Sequence, residues 1–191
     1  MPDRDLGRAL LALARGAIGA ELGLARHGTA AHPALAEPGA TFVTLRKDAE
    51  LRGCIGSLEP RRALAVDVRA NAVAAAFGDP RFPPLAAAEY IRTSVEVSLL
   101  SRHVPVAFDD EEHLLRQLRP GVDGVVLHSG HRRATFLPQV WESLPDPREF
   151  VAALRQKAGV PASVRTTQLG VARYTVVKWA ESEFESEALR T

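Results

Sequence analysis

Leu51-Arg52-Gly53-Cys54-Ile55-Gly56-Ser57 is the stretch around which the chain is organised, because it holds the only cysteine, set between two glycines and close to an arginine. Glycine has no Cβ atom, so a neighbouring backbone or a ligand can approach it closely. In a regular strand Arg52 and Cys54 share one face, while Leu51 and Ile55 share the other. The sequence therefore predicts a strand whose apolar pair points into the core and whose thiol lies on the more polar face.

Two interpretations of Cys54 stay open. Beside the permanent cation of Arg52 a thiol favours its reactive thiolate form, which makes Cys54 a candidate catalytic residue. Free cysteine is, however, among the most buried residue types and often packs as a small hydrophobe. A bulge at Gly53 or Gly56 would also disrupt the alternation of side chains. Arg52 and both glycines are candidate ligand-binding residues under the first interpretation.

The flanking segments indicate how this stretch is supported. A β-rich run, Thr41–Arg46, and a polar turn precede it, which predicts a hairpin. Leucines at helical spacing predict a helix over residues 4–22, and apolar residues of Arg62–Phe77 predict a second helix ended by Gly78. We expect this second helix to pack on the hairpin.

The next segments add three candidate site residues. The loop of residues 78–85 contains three prolines, which restrict its backbone. Within it Asp79 and Arg81 either pair with each other or contact a ligand. Residues 91–99 alternate between apolar and polar, which predicts a half-buried strand with Ile91 facing inward and Glu96 on the polar face. Glu96 is either a solvated carboxylate or an acid–base group.

The second half of the chain predicts a mixture of short elements. An acidic run, Asp109–Glu112, begins a short helix, and a second hairpin turns at Ser129-Gly130. A further helix begins after Asp146 and ends at Gly159, and the last strand is Thr175–Trp179. We expect the acidic residues 181–191 to be loosely held. Hairpins without regular strand–helix alternation indicate the α+β class.

Composition limits the classes of partner. The 191 residues suit one domain, and 24 basic against 23 acidic residues give a net charge of +1, so no global attraction to nucleic acid is expected. Arginines and a lysine nevertheless lie close to Cys54 in the sequence. This basic region either suits a small anionic ligand or is an ordinary solvated surface. The basic residues lack interleaved aromatic residues, which argues against RNA binding.

A single cysteine excludes an intramolecular disulfide and favours a reducing compartment, so a cytoplasmic location is expected. Charged residues and glycines interrupt the apolar run Leu6–Leu24, which reads as neither a signal peptide nor a membrane span. The histidine pairs His27/His32 and His128/His131 lack a third ligand, so no metal site is predicted. Nothing in the sequence identifies a cofactor.

Several ordered motifs together resemble the AMMECR domain family, called AmmeMemoRadiSam system protein A in prokaryotes. They are Leu51–Gly56, Ala76–Leu85, Glu96–Leu100, Leu137–Val140 and Lys157–Gly159. The resemblance covers nearly the whole chain. It implies an α+β fold of two unequal lobes, with the larger built from both terminal regions, the smaller from about residues 80–135, and the cysteine motif near a cleft.

The resemblance also implies partners but no reaction. The family is associated with Memo-like proteins and with a radical S-adenosylmethionine protein. A second cysteine is typical of the family where Arg155 or a neighbour stands here, so a mechanism with two thiols is not expected. Two functions follow: an enzyme or ligand-binding protein acting on a small anionic molecule at Cys54, or a non-catalytic adaptor that engages those partner proteins.

Overall fold

The computed structural model describes residues 3–24 and 30–188, and the side chains up to residue 184. Its helices are α1 (Arg4–Glu21), α2 (Leu64–Phe77), α3 (Ala87–Tyr90), α4 (Glu111–Gln117), α5 (Pro147–Lys157) and α6 (Glu181–Ala188). Its strands are β1 (Pro38–Lys47), β2 (Glu50–Gly56), β3 (Arg62–Ala63), β4 (Thr93–Leu100), β5 (Val104–Pro105), β6 (Gly124–Ser129), β7 (Arg132–Phe136), β8 (Gly170–Tyr174) and β9 (Val176–Ala180). The α+β class is confirmed.

The chain divides into two compact units, residues 1–100 with 177–191 and residues 101–176. The family resemblance implied a smaller lobe of about residues 80–135. The middle unit begins later because β4 pairs with β1 of the first unit, and it ends later because β8 pairs with β6. In the part of the chain that is described, no helix is both long and apolar enough to cross a bilayer.

The first unit is a five-stranded sheet with helices packed on it. Its strand order is β2-β1-β4-β9, and the short β3 pairs with β1. Helices α1 and α2 pack on each other, and they bury against the sheet face that carries Val43, Leu45 and Val95. An apolar stripe at helical spacing explains why α1 forms, and Asp3 caps its first turn through the amides of Asp5 and Leu6.

The second unit is a four-stranded antiparallel sheet of order β5-β8-β6-β7 with helices α4 and α5. Its core stacks Trp141 on Phe150, with ring centroids 3.7 Å apart. The indole Nε1 donates to the Asp123 carbonyl at 2.7 Å, so the buried polar group of the tryptophan is satisfied. The hairpin turn at Ser129-Gly130 and the Asp146 cap are present as predicted.

The expectation for residues 181–191 was wrong in its described part. Helix α6 follows β9 directly, and its Glu181 accepts the Val95 amide at 2.8 Å and pairs with Arg15. The inward orientation predicted for Ile91 was also wrong. This side chain is 88% exposed, because β4 begins only at Thr93 and Ile91 lies in the preceding turn.

Candidate functional site

Strand β2 contains a bulge at Arg52. Leu45 lies opposite Gly53 and Arg46 lies opposite Leu51, so Arg52 is the extra residue on its strand. The regular alternation predicted from the sequence is therefore broken at this point. Leu51 is 40% exposed instead of facing the core, whereas Ile55, beyond the bulge, packs partly buried against it.

Cys54 lies beyond the bulge, directly opposite Thr44 of β1. Its amide donates to Asp79 Oδ2 at 2.8 Å, and its carbonyl accepts from Arg81 Nη2 at 3.3 Å, so both backbone groups point away from β1. Cys54 and Thr44 therefore form a non-hydrogen-bonded pair, which is the type of antiparallel pair whose side chains lie closest together. The half-buried Sγ atom of Cys54 lies 3.3 Å from Oγ1 of Thr44, within hydrogen-bonding reach.

Asp79 and Arg81 hold this free edge of the sheet. The Asp79 side chain is 2% exposed, and besides the Cys54 amide it accepts from Nη2 of Arg81 at 2.6 Å. The Arg81 guanidinium, followed by the amides of Cys54 and Arg81, holds the pKa of the Asp79 carboxyl well below its usual range. The pKa of Arg81 is raised, chiefly by its hydrogen bond to Asp79 and further by the negative charge of Asp79. Its side chain is 54% exposed, so a paired cation stands at the surface next to Cys54.

Arg52 is engaged elsewhere. Its guanidinium binds Glu89 of α3, with Nη2 3.0 Å from Oε2, and Lys47 Nζ lies 2.8 Å from the other oxygen of Glu89. The Arg52 pair, followed by that with Lys47, lowers the pKa of Glu89 to about 2. Nη1 of Arg52 is buried and has no hydrogen-bond partner among the described residues. No sequence signal pointed to Glu89, because its partners lie about 40 residues away on the hairpin.

The two glycines of the motif allow close packing. A Cβ atom at Gly53 would lie 2.1 Å from the carbonyl oxygen of Ala75, so the backbone of α2 occupies that space. A Cβ atom at Gly56 would lie 2.2 Å from the ring of Phe42. The sequence predicted that a neighbouring backbone or a ligand approaches these glycines closely. At both positions the close neighbour is another part of the protein.

Glu96 lies opposite Thr44 on the other side of β1, so Cys54, Thr44 and Glu96 form a row across three strands, which we call the Cys54 face. The Glu96 side chain is 15% exposed. Its Oε1 atom is 3.0 Å from Nε of Arg46, and its Oε2 atom is 2.9 Å from Nζ of Lys178. Two cations therefore flank this carboxylate on the Cys54 face.

Sequence reasoning missed a buried polar cluster beside the motif. Asp67 of α2 is buried and accepts from the amide and hydroxyl of Thr41, from Ser57 Oγ, from Arg62 Nε and from Asn71 Nδ2. Asp67 and Asn71, one helical turn apart, interrupt the otherwise apolar buried side of α2. That interruption was the available signal, since buried polar groups require partners.

The histidines form no metal centre in the described residues. His27 lies outside them. His32 accepts the Ala34 amide through Nδ1 at 3.2 Å, and its Nε2 atom is 3.1 Å from Asp3 Oδ2. Among the residues that the structure describes, no three His, Cys, Asp or Glu side chains gather as metal ligands.

The fold and the motif define an α+β protein with a lone thiol on an edge strand of its larger sheet. The AMMECR1 family model matches residues 11–179, and the chain therefore belongs to the AMMECR1 family. The crystal structure of an uncharacterized protein from Pyrococcus horikoshii is similar, with a TM-score of 0.77 and 31% identity over 95% of this chain and 93% of that one.

Relatives in other organisms agree with this assignment. A protein of Methanothermobacter thermautotrophicus is 40% identical over 125 residues, which are 63% of this chain and 63% of that protein. A protein of Thermofilum pendens is 38% identical over 143 residues, 67% of this chain and 65% of that protein. The chain thus matches less than two thirds of the length of these relatives. Their names state no activity, so a function must be argued from the site.

Proposed function

We propose that the protein acts on a small anionic molecule at the Cys54 face, with the thiol as the reacting group. The observation that supports this most directly is the placement of Arg81, whose half-exposed guanidinium is held by Asp79 and bonds to the backbone of Cys54 itself. A fixed cation next to a half-buried thiol attracts anionic molecules to that thiol. The sequence suggested Arg52 as the cation beside the thiol, and we assign that role to Arg81 instead.

The other groups on the face have supporting roles. The Thr44 hydroxyl, 3.3 Å from the sulfur, orients the thiol or donates to the thiolate. Glu96 accepts from Arg46 and Lys178, and we assign it the task of holding these two cations on the face. Both cations then add to the attraction for an anionic ligand. Gly53 and Gly56 keep the strand tightly packed and thereby fix the position of Cys54.

The test compares two alkylating reagents, anionic iodoacetate and neutral iodoacetamide, on the native protein. The ratio of their rates at Cys54 reports the local electrostatic potential and cancels changes in the amount of thiolate. Arg81→Gln should lower the iodoacetate-to-iodoacetamide ratio roughly fivefold, as expected for a unit charge about 4 Å away that is screened by bulk water. Arg92→Gln is the matched control, because Arg92 is an exposed arginine paired with Asp48.

The proposal requires that the Arg92→Gln ratio equal that of the unmodified chain. An equal ratio in Arg81→Gln, or a Cys54 that reacts with neither reagent in the folded protein, would reject an anion site at this thiol. Glu96→Gln should also change the ratio, since it releases two cations from their shared partner. Both measurements follow alkylation by intact mass, which the single cysteine makes unambiguous.

The second candidate is a non-catalytic adaptor, and one observation favours it. The motif is tightly packed, with Gly53 against the α2 backbone and Gly56 against Phe42, as a purely structural hairpin requires. Memo-like and radical S-adenosylmethionine proteins are the partners implied by the resemblance. Under this proposal a folded Cys54→Ser protein keeps full activity in the pathway, and loss of that activity would reject it.

A further inference from the structure

Helix α2 is apolar on both of its sides. Its buried side faces the sheet and α1, and its outward side carries Val66, Ala70 and Val73. Val66 is 53% exposed, and the other two are half-buried. An ordinary surface helix presents charged and polar residues outward. The outward side of α2 has the composition of a surface that another molecule covers.

A groove of about 570 Å³ adjoins this side of the helix. Leu13 of α1, Ala65 of α2 and the segment containing Ala31, Pro33 and Ala36 contribute to its walls. Most of the lining side chains are small and apolar, which leaves room for side chains of a bound molecule. We call the groove and the outward side of α2 together the α2 surface.

Arg69 is the one charged residue that the described part of α2 exposes on this surface. It also lines the groove, next to Ala65 one helical turn earlier. Within residues 3–24 and 30–188 it forms neither an ion pair nor a hydrogen bond, whereas Arg62 and Arg81 both pair with aspartates. An unpaired guanidinium beside an apolar groove is complementary to an anionic group next to apolar side chains.

We propose that the α2 surface docks an amphipathic segment of a partner protein, whose apolar side chains enter the groove and whose carboxylate pairs with Arg69. Val66 and Val73 lie seven residues apart on the helix, a rise of about 10 Å, so the apolar strip continues past the groove. That length suits a peptide segment with apolar residues on one side better than a small carboxylic acid.

A second copy of the chain fits less well for an electrostatic reason. In a two-fold symmetric contact the same patch meets itself, so the Arg69 side chains of both copies would approach each other. Like charges at an interface are unfavourable unless acids separate them. The outward side of α2 offers no acid, because Asp67 is buried and bonded to the polar cluster, and Asp3, which lies beside the groove, is already bound to His32 of the groove wall. A partner with a carboxylate at this position would neutralise the positive charge of Arg69.

The test selects short peptides from a random phage-displayed library on the immobilised full chain. Enriched peptides should combine apolar residues at helical spacing with Asp or Glu. Their affinity, measured by fluorescence anisotropy, should fall at least roughly tenfold for Val66→Asp and for Arg69→Glu, as for central interface residues. Arg69→Gln should give an intermediate loss, and replacing the peptide acid by Lys should restore binding to Arg69→Glu.

Two matched controls address folding and general surface charge. Ile91→Asp places the same acid on another exposed apolar residue, and Arg92→Glu reverses another exposed arginine, so both should bind as the unmodified chain does. Peptides whose affinity changes with neither Val66→Asp nor Arg69→Glu would overturn the proposal. A dimer in sedimentation that Val66→Asp abolishes would assign the surface to a second copy, and octanoate binding that requires Arg69 without peptide binding would assign it to a small acid.

Discussion

At Gly53 the backbone of α2 leaves no space for a side chain. A Cβ atom there would lie 2.1 Å from the Ala75 carbonyl oxygen, and a helix backbone cannot yield as a flexible side chain does. We expect Gly53→Ala to lower the free energy of unfolding by about 3 kcal/mol, at the upper end of the range for overpacking. Urea denaturation followed by circular dichroism measures this change.

Leu51→Ala on the same strand is the control for that substitution. Leu51 is 40% exposed, so its truncation should cost less than about 1 kcal/mol. Equal losses in Gly53→Ala and Leu51→Ala would show that α2 adjusts to the added methyl group. The packing argument for the motif glycine would then fail.

Asp79 gives a second prediction for a single residue. Its carboxylate accepts from the Cys54 amide and from Arg81, and its side chain is almost fully buried. Asp79→Asn keeps one acceptor but removes the charge, and we expect a loss of about 2 kcal/mol, typical of hydrogen bonds to charged groups. Urea denaturation at neutral pH measures it, with Asp109→Asn as a control, since that side chain is 95% exposed. If Asp79→Asn lowers the free energy of unfolding no more than Asp109→Asn does, Asp79 does not stabilise this edge of the sheet.

Among the elements, α1 is tied to its neighbours through Arg15. This guanidinium donates to the Tyr90 carbonyl at 2.9 Å, to the Thr93 carbonyl, and to Glu181 of α6. Arg15→Ala leaves the Glu181 carboxylate without its cation in a site where both side chains are less than one-fifth exposed. We expect a loss of about 3 kcal/mol, as for breaking a buried ion pair.

The measurement for Arg15→Ala is again urea denaturation, with Arg92→Ala as the matched control. Arg92 pairs with Asp48, and both side chains are more than half exposed, so that pair should contribute less than about 1 kcal/mol. The double variant Arg15→Ala, Glu181→Gln should recover part of the loss, because it no longer buries an unpaired charge. A double variant less stable than Arg15→Ala would argue against this explanation.

Elements with a strong local pattern were predictable from the sequence. Helix α1, the hairpin of β1 and β2, and α5 all carry clear periodicity or caps. Strand β8 was missed because its five residues are fixed by pairing with β5 and β6, which the local sequence does not reveal. Helix α6 was missed for the same reason, since Glu181 finds its partner Arg15 at the opposite end of the chain.

The candidate site was predictable in its members but not in its contacts. The sequence indicated Cys54, Asp79 and Arg81, and it left open whether the last two pair with each other. The bulge that turns Arg52 away depends on register, which follows from the tight turn at Asp48-Ala49, where both residues have positive φ. Such a turn is usually marked by glycine or asparagine, and Ala49 carries no such signal.

For the molecule as a whole, acid stability depends on carboxylates whose pKa is lower in the folded state. Glu89 has a folded pKa of about 2 against 4.5 in an unfolded chain, first because of Arg52 and then because of Lys47. A depressed pKa means that the folded state favours the ionised form. Its stabilising contribution is therefore complete above pH 4.5 and is lost progressively as the pH falls from 4.5 to about 2.

Glu89→Gln tests this dependence. At pH 7 the variant should be less stable than the unmodified chain, because Arg52 and Lys47 lose their shared anion. The difference in the free energy of unfolding should narrow as the pH falls below 4.5 and should vanish below about pH 2, where Glu89 is protonated in both states. Urea denaturation at a series of pH values measures it, with the exposed Glu50→Gln as a control that shows no such convergence. A difference independent of pH would mean that Glu89 acts through its shape and hydrogen bonds, and the Arg52 ion pair would then contribute nothing to the stability of the fold.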